Sequence, residues 1–493
     1  MDSHPHTDEP SPGRGDTTTT SVPPIPPSLL PKFVPALLEV YNGAIQSSEN
    51  RHRFKYQYFL TAAIGVIKHL FRDRSSLVDR AQRFLVRCRA DGLAASLKPY
   101  FQPGHPEKLF QQEILRTAFS LYKNQGLLPA IRYVAETTTS IAQRSRSLES
   151  LAEAVFVLDQ NESLTVFWIA YVIDLKPENA ERIARKIFKF GNISGARAIL
   201  DNMPPKPLTR IISEIRLSAR LLEAGIAIPP RKSRETSPKA LSIAYVASSA
   251  LPFQMAGYTV RTQSLLRALL EHDVHVRCYT RPGYPWDRRD VTLPDDGVLE
   301  NIVHDNVQYN FSPVDGIMMD PENYLNRMGR VLEQRISADM PTLVHAASNH
   351  MNAIPALLAA RRLGVPFIYE MRGLWELTAA SRKPHWENTE RFQLAHSLEL
   401  LVAREADLVF TITQGLASEI VQGGIPSEKV KLLPNSVDSE YFKPIVKDPK
   451  LAEGLGLDST DFVLVYVGSL TDYEGLDDLI EAVGLLRVRG VSA

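Results

Sequence analysis

From Leu29 to Ile228 apolar residues recur three and four positions apart, and beyond residue 240 they gather instead into short continuous runs separated by amphipathic stretches. In the first region Ala81–Cys88, Glu113–Tyr122 and Ile211–Leu222 each place apolar side chains on one face of a 3.6-residue period. Strand-like alternation is scarce there. The pattern predicts an all-helical region over 29–228, preceded by a polar leader, 1–28, rich in Thr and Pro. That leader has too little apolar surface to offset the entropy of ordering, and we expect it to be disordered.

Pro229-Pro-Arg-Lys-Ser-Arg-Glu-Thr-Ser-Pro238 is bounded by proline and charged, as interdomain linkers are. After it the period changes. Leu241–Ala247, Val274–Thr280, Thr342–Ala346, Phe367–Met371 and Leu408–Thr413 read as buried strands, with helices at Val260–Leu270, Ala353–Leu363 and Glu390–Glu405 between them. Strands alternating with helices of this length imply right-handed βαβ units and a mostly parallel sheet. The fold class is α/β: a Rossmann-like domain over 239–435, the start of a second one over 436–493 opened by the run Asp461–Gly468, and the all-α region ahead of both.

Composition narrows the classes of function. The 56 basic and 56 acidic residues of this 493-residue chain balance, so bulk charge favours neither nucleic acid nor an anionic membrane as partner. Cys88 and Cys278 are the two cysteines, too far apart in sequence to frame a disulfide scaffold or a metal cluster, and we expect a reducing cytoplasm and no bound metal. The N-terminus carries no apolar core of a signal peptide. Tyr58–Phe71, interrupted by Lys68 and His69, is too short to span a bilayer, which leaves open a peripheral position at the inner face of the membrane.

Three blocks carry the chemistry: Pro366-Phe-Ile-Tyr-Glu-Met-Arg-Gly-Leu-Trp-Glu376, then Pro434-Asn-Ser-Val-Asp438 with Phe442, then Val465-Tyr-Val-Gly-Ser-Leu-Thr-Asp-Tyr-Glu-Gly475. Their order and content resemble the family 4 retaining glycosyltransferases, which have the GT-B fold of two Rossmann-like domains. Each block follows an apolar run, where open α/β sheets place their ligands. The resemblance covers about half of the chain, from Ala240 to Gly490, and implies a C-terminal donor domain that is truncated at Ala493. Separately, Ala184–Leu200, with the small residues Gly191 and Ala196 placed for close approach of two helices, resembles a tetratricopeptide hairpin; an irregular helical bundle is the other reading.

The resemblance also implies a site. Gly257, in Leu251-Pro-Phe-Gln-Met-Ala-Gly-Tyr-Thr-Val-Arg261, lets backbone pass close to donor phosphate or acceptor at a helix N-terminus. Many relatives carry a His where this chain has Ala347, which leaves His350 and Ser348 as the polar candidates to contact a sugar, with His350 preferred. Arg372 stands where many relatives have His, and its permanently charged planar fork suits an anion or Glu376 better than it suits base catalysis. Glu399 and Glu405 read as packing and solvation. Ser469 and Glu474 occupy the places where relatives carry a phosphate-clamping Arg and Lys, with Gly475 beside them, which removes part of the usual cationic clamp.

The expected catalytic set is therefore Arg372, His350 and Glu376, and the expected donor or acceptor contacts are Gly257, Ser469, Glu474 and Gly475. The implied activity moves a sugar from a nucleotide-sugar donor to a polysaccharide or glycoconjugate acceptor with retention, without a cofactor. With its donor half incomplete, the chain by itself is expected to be weakly active or inactive. Two alternatives stand beside this: a non-catalytic helical scaffold with a truncated glycosyltransferase-like domain, and a nucleotide-sugar epimerase. The helical region offers a surface for a protein partner; nucleic acid is not an expected partner.

Overall fold

The computed structural model describes residues 32, 36, 39, 105–203, 207–234, 240–288, 299–314, 320–446, 448–457, 462–468 and 474–490, and among these helices run up to Ala224 and strands begin at Ser242. The leader 1–28, Tyr58–Phe71, Ala81–Cys88 and Ser469 lie outside the described residues. The chain divides into two units, Met1–Ile187 with Ala198–Lys206, and Phe188–Arg197 with Pro207–Ala493.

In the first unit, helices α1 (His105–Gln125), α2 (Leu127–Thr137), α3 (Ile141–Val155) and α4 (Gln160–Ile173) bury Ile131, Leu148, Leu151, Phe167 and Trp168. Side-chain caps start two of them, Ser140 accepting from Gln143 N (3.2 Å) and Asp159 from Glu162 N (2.8 Å). Glu149 is fully buried on α3, and α5 (Pro177–Lys189) supplies Arg182 at 2.7 Å and Lys186 at 2.9 Å. Burial raises the Glu149 carboxyl, but the two cations outweigh it and the net shift is downward.

The second unit holds an eight-stranded sheet in the order β3-β4-β2-β1-β5-β6-β7-β8. Its strands are β1 (Ser242–Ala247), β2 (His275–Thr280), β3 (Asn301–His304), β4 (Val307–Asn310), β5 (Leu343–Ala347), β6 (Phe367–Met371), β7 (Leu408–Thr411) and β8 (Val430–Leu432). All neighbours are parallel except β3 and β4. That edge hairpin turns on Asp305 and Asn306, both at positive φ (44° and 64°), the conformation a two-residue hairpin loop needs. The inner strands are apolar on both faces because helices cover both. One face packs α9 (Tyr324–Ser337), α10 (His350–Leu363) and α12 (Glu390–Glu405) through Val246, Leu357, Tyr369 and Val402; the other packs α8 (Gly257–Glu271) through Tyr245, Leu266 and Cys278. Helix α13 (Gln414–Gln422) precedes β8.

Three expectations change in detail. Gly191, at φ 90°, lies in the turn between α5 and α6 (Ile193–Asp201), where a Cβ would come within 2.5 Å of Thr389; its smallness serves that contact. Glu390 completes the contact, its carboxylate accepting from Ile193 N (2.5 Å) and Ser194 N (2.7 Å) at the start of α6. The described part of the expected linker is strapped to the sheet unit: Lys232 N donates to Arg361 O (2.9 Å), Arg234 to Pro341 O (2.6 Å), and Arg231 pairs with Asp407. Helix α7 (Arg210–Ala224) belongs to this unit also, burying Leu217 and Leu221 in the core under α9 and α10.

Towards the C-terminus, α14 (Pro449–Gly454) and α15 (Leu476–Val488) flank Phe462–Gly468. The run expected to open a second sheet has no ladder over these described residues, with Val465 and Val467 exposed. An apolar run becomes a strand only when a neighbour satisfies its backbone groups.

Candidate active site

Strand alternation sends Tyr369 and Met371 into the α10–α12 face and Glu370 to the opposite one, where it meets Tyr245 of β1. Glu370 is fully buried and surrounded by donors. Tyr245 Oη donates to Oε2 at 2.6 Å, Arg261 Nε to Oε1 at 2.8 Å, and Arg372 Nε and Nη2 to Oε1 and Oε2 at 2.9 and 3.1 Å. His345 Nε2 stands 3.4 Å from Oε2, long for a hydrogen bond. Burial works to raise the carboxyl, but His345 and the Arg372 guanidinium outweigh it and hold Glu370 well below the usual carboxylate range.

Arg372 pairs with Glu370, two residues before it, and not with Glu376. Beyond the two bonds to that carboxylate, Nη1 donates to Tyr258 O (2.8 Å) and Thr262 Oγ1 (2.9 Å) in the first turns of α8, and Nη2 to Tyr245 Oη (2.6 Å). All of its N–H donors thus have acceptors within the protein. Its backbone N–H also holds Ser348 Oγ (3.2 Å). Arg261 extends the lattice to the crossover after β8, donating to Leu433 O (2.7 Å), Pro434 O (2.9 Å) and Asn435 Oδ1 (3.0 Å). Two guanidiniums against one carboxylate leave an excess of positive charge beside the N-terminus of α8.

Gly257 begins that helix. Its φ is not in the left-handed region, and a Cβ there would meet nothing within 4 Å, so neither backbone conformation nor packing demands glycine. Thr259 Oγ1 accepts from Ala256 N (2.9 Å) and fixes the entry turn. The structure therefore brings Gly257 and Arg372 to one place, through Tyr258 and Thr262.

His350 and Glu376 meet elsewhere, in a cleft of about 870 Å³ formed where the chain leaves β2, β5 and β6. His350 opens α10 and its Nδ1 donates to Glu399 Oε1 (2.9 Å), while the His350 backbone N–H reaches the same oxygen (2.9 Å) and Tyr369 Oη holds Oε2. That bond places a proton on Nδ1 and fixes the orientation of the ring. Glu376, in the short helix α11 (Trp375–Ala380), receives His396 Nδ1 on Oε1 at 3.0 Å, and its Oε2 is buried without a partner. Burial raises the Glu376 carboxyl above its ordinary value, its own backbone N–H and the His396 contact opposing only in part.

Of the remaining expected contacts, Glu474 and Gly475 are described. Glu474 is exposed and Gly475, at φ 66°, caps α15; among the described residues neither has a recorded bond to Gly257, His350, Arg372 or Glu376. Among the described residues no group of three or more His, Cys, Asp or Glu is placed to hold a metal ion, and no helix is long and apolar enough to cross a membrane.

Residues 256–436 match the glycosyl transferase 4-like domain. The chain carries a family 4 glycosyltransferase domain. Over 64 residues it is also 36% identical to an alpha-galactosylglucosyldiacylglycerol synthase of Streptococcus pneumoniae (strain ATCC BAA-255 / R6). That stretch is 13% of this chain, and the chain spans 17% of the length of that relative.

The matched segment thus begins at the turn into α8 and ends at the crossover that Arg261 grips. Sequence reasoning passed over Glu370, Arg261 and Tyr245 and assigned Glu399 to packing. A signal for the first was present: a glutamate inside the apolar run Phe367–Met371 must be paired to be buried. Tyr245 lies ahead of the matched segment, and its role follows only from register, since β1 sets it beside Cys278 and His345.

Proposed function

We propose that this domain transfers a glycosyl group from a nucleotide sugar to a saccharide or glycoconjugate acceptor with retention of configuration. The observation that carries the reading is the match over 256–436 ending on the same segments that the Glu370 lattice joins, with Gly257 open at the N-terminus of α8. Helix N–H groups and a net positive pair of arginines suit the diphosphate of a donor. Because the N–H groups of Arg372 are all engaged, it acts on that diphosphate through its charge and through the placement of Tyr258 and Ser348. As the anomeric bond breaks, fixed dipoles and cations stabilise the departing nucleoside diphosphate, and the acceptor hydroxyl attacks from the same face.

The test is to incubate the full-length gene product with UDP-, GDP- and dTDP-sugars and a series of saccharide and glycolipid acceptors. Acceptor-dependent release of nucleoside diphosphate is expected, with the same anomeric configuration in product and donor by NMR. Folded protein that releases none from any donor and acceptor pair would overturn the transferase reading, and an inverted product would overturn retention alone.

A further inference from the structure

The cleft that holds His350 and Glu376 has walls from outside the matched glycosyltransferase segment: Phe188, and Arg210, Glu214 and Leu217 of α7. Two of its arginines are paired with carboxylates, and Arg391 is held by a neutral residue. Arg210 pairs with Glu214 (3.1 Å), Arg281 with Asp287 (3.0 Å), and Arg391 lies over the Phe188 ring (4.3 Å) with Nη1 on the Phe188 carbonyl (3.3 Å). A phosphate-bearing ligand would have to draw Arg210 and Arg281 from their carboxylates and approach Glu376, and a cationic one would meet the arginines. Two features are left without a partner inside the protein. The Trp375 side chain is 62% exposed on the cleft wall, and the next residue, Glu376, is 4% exposed with Oε2 lacking a donor.

We propose that this cleft is a binding subsite for a neutral saccharide chain, with the C–H face of one sugar ring on Trp375 and a sugar hydroxyl donating to Glu376. A sugar supplies both missing partners at once, an apolar face for the indole and an O–H donor for the carboxylate, without disturbing the compensated ion pairs. Because α7 and Phe188 lie outside the matched segment, the subsite is a property of this chain and not of the domain alone. It deepens the transferase reading by giving an extended glycan a place to rest, yet the binding stands or falls separately from catalysis.

The experiment uses the full chain and an array of neutral linear oligosaccharides built from glucose, galactose or mannose, with an oligohexuronate and inorganic phosphate as charged probes, read by tryptophan fluorescence and saturation-transfer NMR. A neutral oligosaccharide is expected to bind saturably, Trp375→Ala to weaken it about tenfold, and Trp375→Phe to restore most of it. Glu376→Gln, which keeps shape, is expected to weaken binding by a smaller factor. No binding by any neutral oligosaccharide, equal binding by the oligohexuronate or phosphate, or unchanged binding in folded Trp375→Ala each overturns the proposal. Nucleoside diphosphate is titrated into the same samples. Diphosphate binding without saccharide binding defeats the subsite and leaves the transferase reading intact, whereas saccharide binding without any transfer does the reverse.

Discussion

Glu370 and Glu376 are both buried, both follow from the same strand and loop, and their carboxyls are pushed in opposite directions. Around Glu370, His345 and the Arg372 guanidinium favour ionisation, and with Tyr245 and Arg261 the carboxylate binds three elements together. Around Glu376 burial outweighs its own backbone N–H and one imidazole, and Oε2 has no partner, so ionisation is disfavoured. A fully satisfied buried charge holds a fold in place. One left partly satisfied has capacity for a ligand, which is why the family-marked Arg372 reads as scaffold and its less conspicuous neighbour Glu376 as contact.

The largest test of this contrast is Glu370→Ala, which leaves Arg261 and Arg372 buried without their carboxylate and is expected to cost about 3–5 kcal/mol in urea unfolding. A loss under about 1 kcal/mol would show that the lattice does not hold the fold together. The sign with pH follows from the lowered folded-state value. The Glu370 contribution is complete above the unfolded value of about 4.3 and drains away as pH falls toward the lower folded value, a window that Glu370→Gln should erase.

Arg261→Ala comes next, at about 2 kcal/mol, since it removes one arm of the carboxylate cluster and three bonds to Leu433–Asn435. Faster amide exchange at Leu433, whose N–H bonds Thr411 O at 2.8 Å, should accompany it. Unchanged exchange there would separate the crossover from the lattice.

Glu376→Gln is expected to act in the other direction, stabilising by on the order of 1 kcal/mol at neutral pH. With the folded value raised, the wild-type protein loses stability as pH climbs from the unfolded value through the folded one, and the Gln variant should not. A destabilised Glu376→Gln would mean that the ionised carboxylate has a favourable partner and would remove the contrast.

Much of the sheet was legible because buried parallel strands are continuous apolar runs: β1, β2, β6 and α12 fall within a residue of the expected positions. The β3–β4 hairpin was not, although Asp305-Asn306 between Asn301–His304 and Val307–Asn310 carries a recognisable turn. Its strands are only four residues long and β3 is half-exposed, which weakens the periodic signal. The linker's strapping onto α10 was also hidden, because proline and charge mark where helix period ends but not what the segment then rests on. In the site, residue types were legible and partners were not. Arg372 takes Glu370 rather than Glu376 because register aims Glu370 at α8, and His350 takes Glu399 because α10 and α12 pack side by side.

The smallest expected effect on stability belongs to Gly257, and it gives the most direct test of the central claim that the N-terminus of α8 receives the donor diphosphate. Gly257→Leu places a side chain in space that the protein leaves open, so unfolding free energy should stay within about 0.5 kcal/mol of wild type. Calorimetric titration of nucleoside diphosphate into the full-length wild-type protein and this variant decides the matter. The account predicts binding by the wild type that Gly257→Leu abolishes; equal binding by the two folded proteins would contradict it.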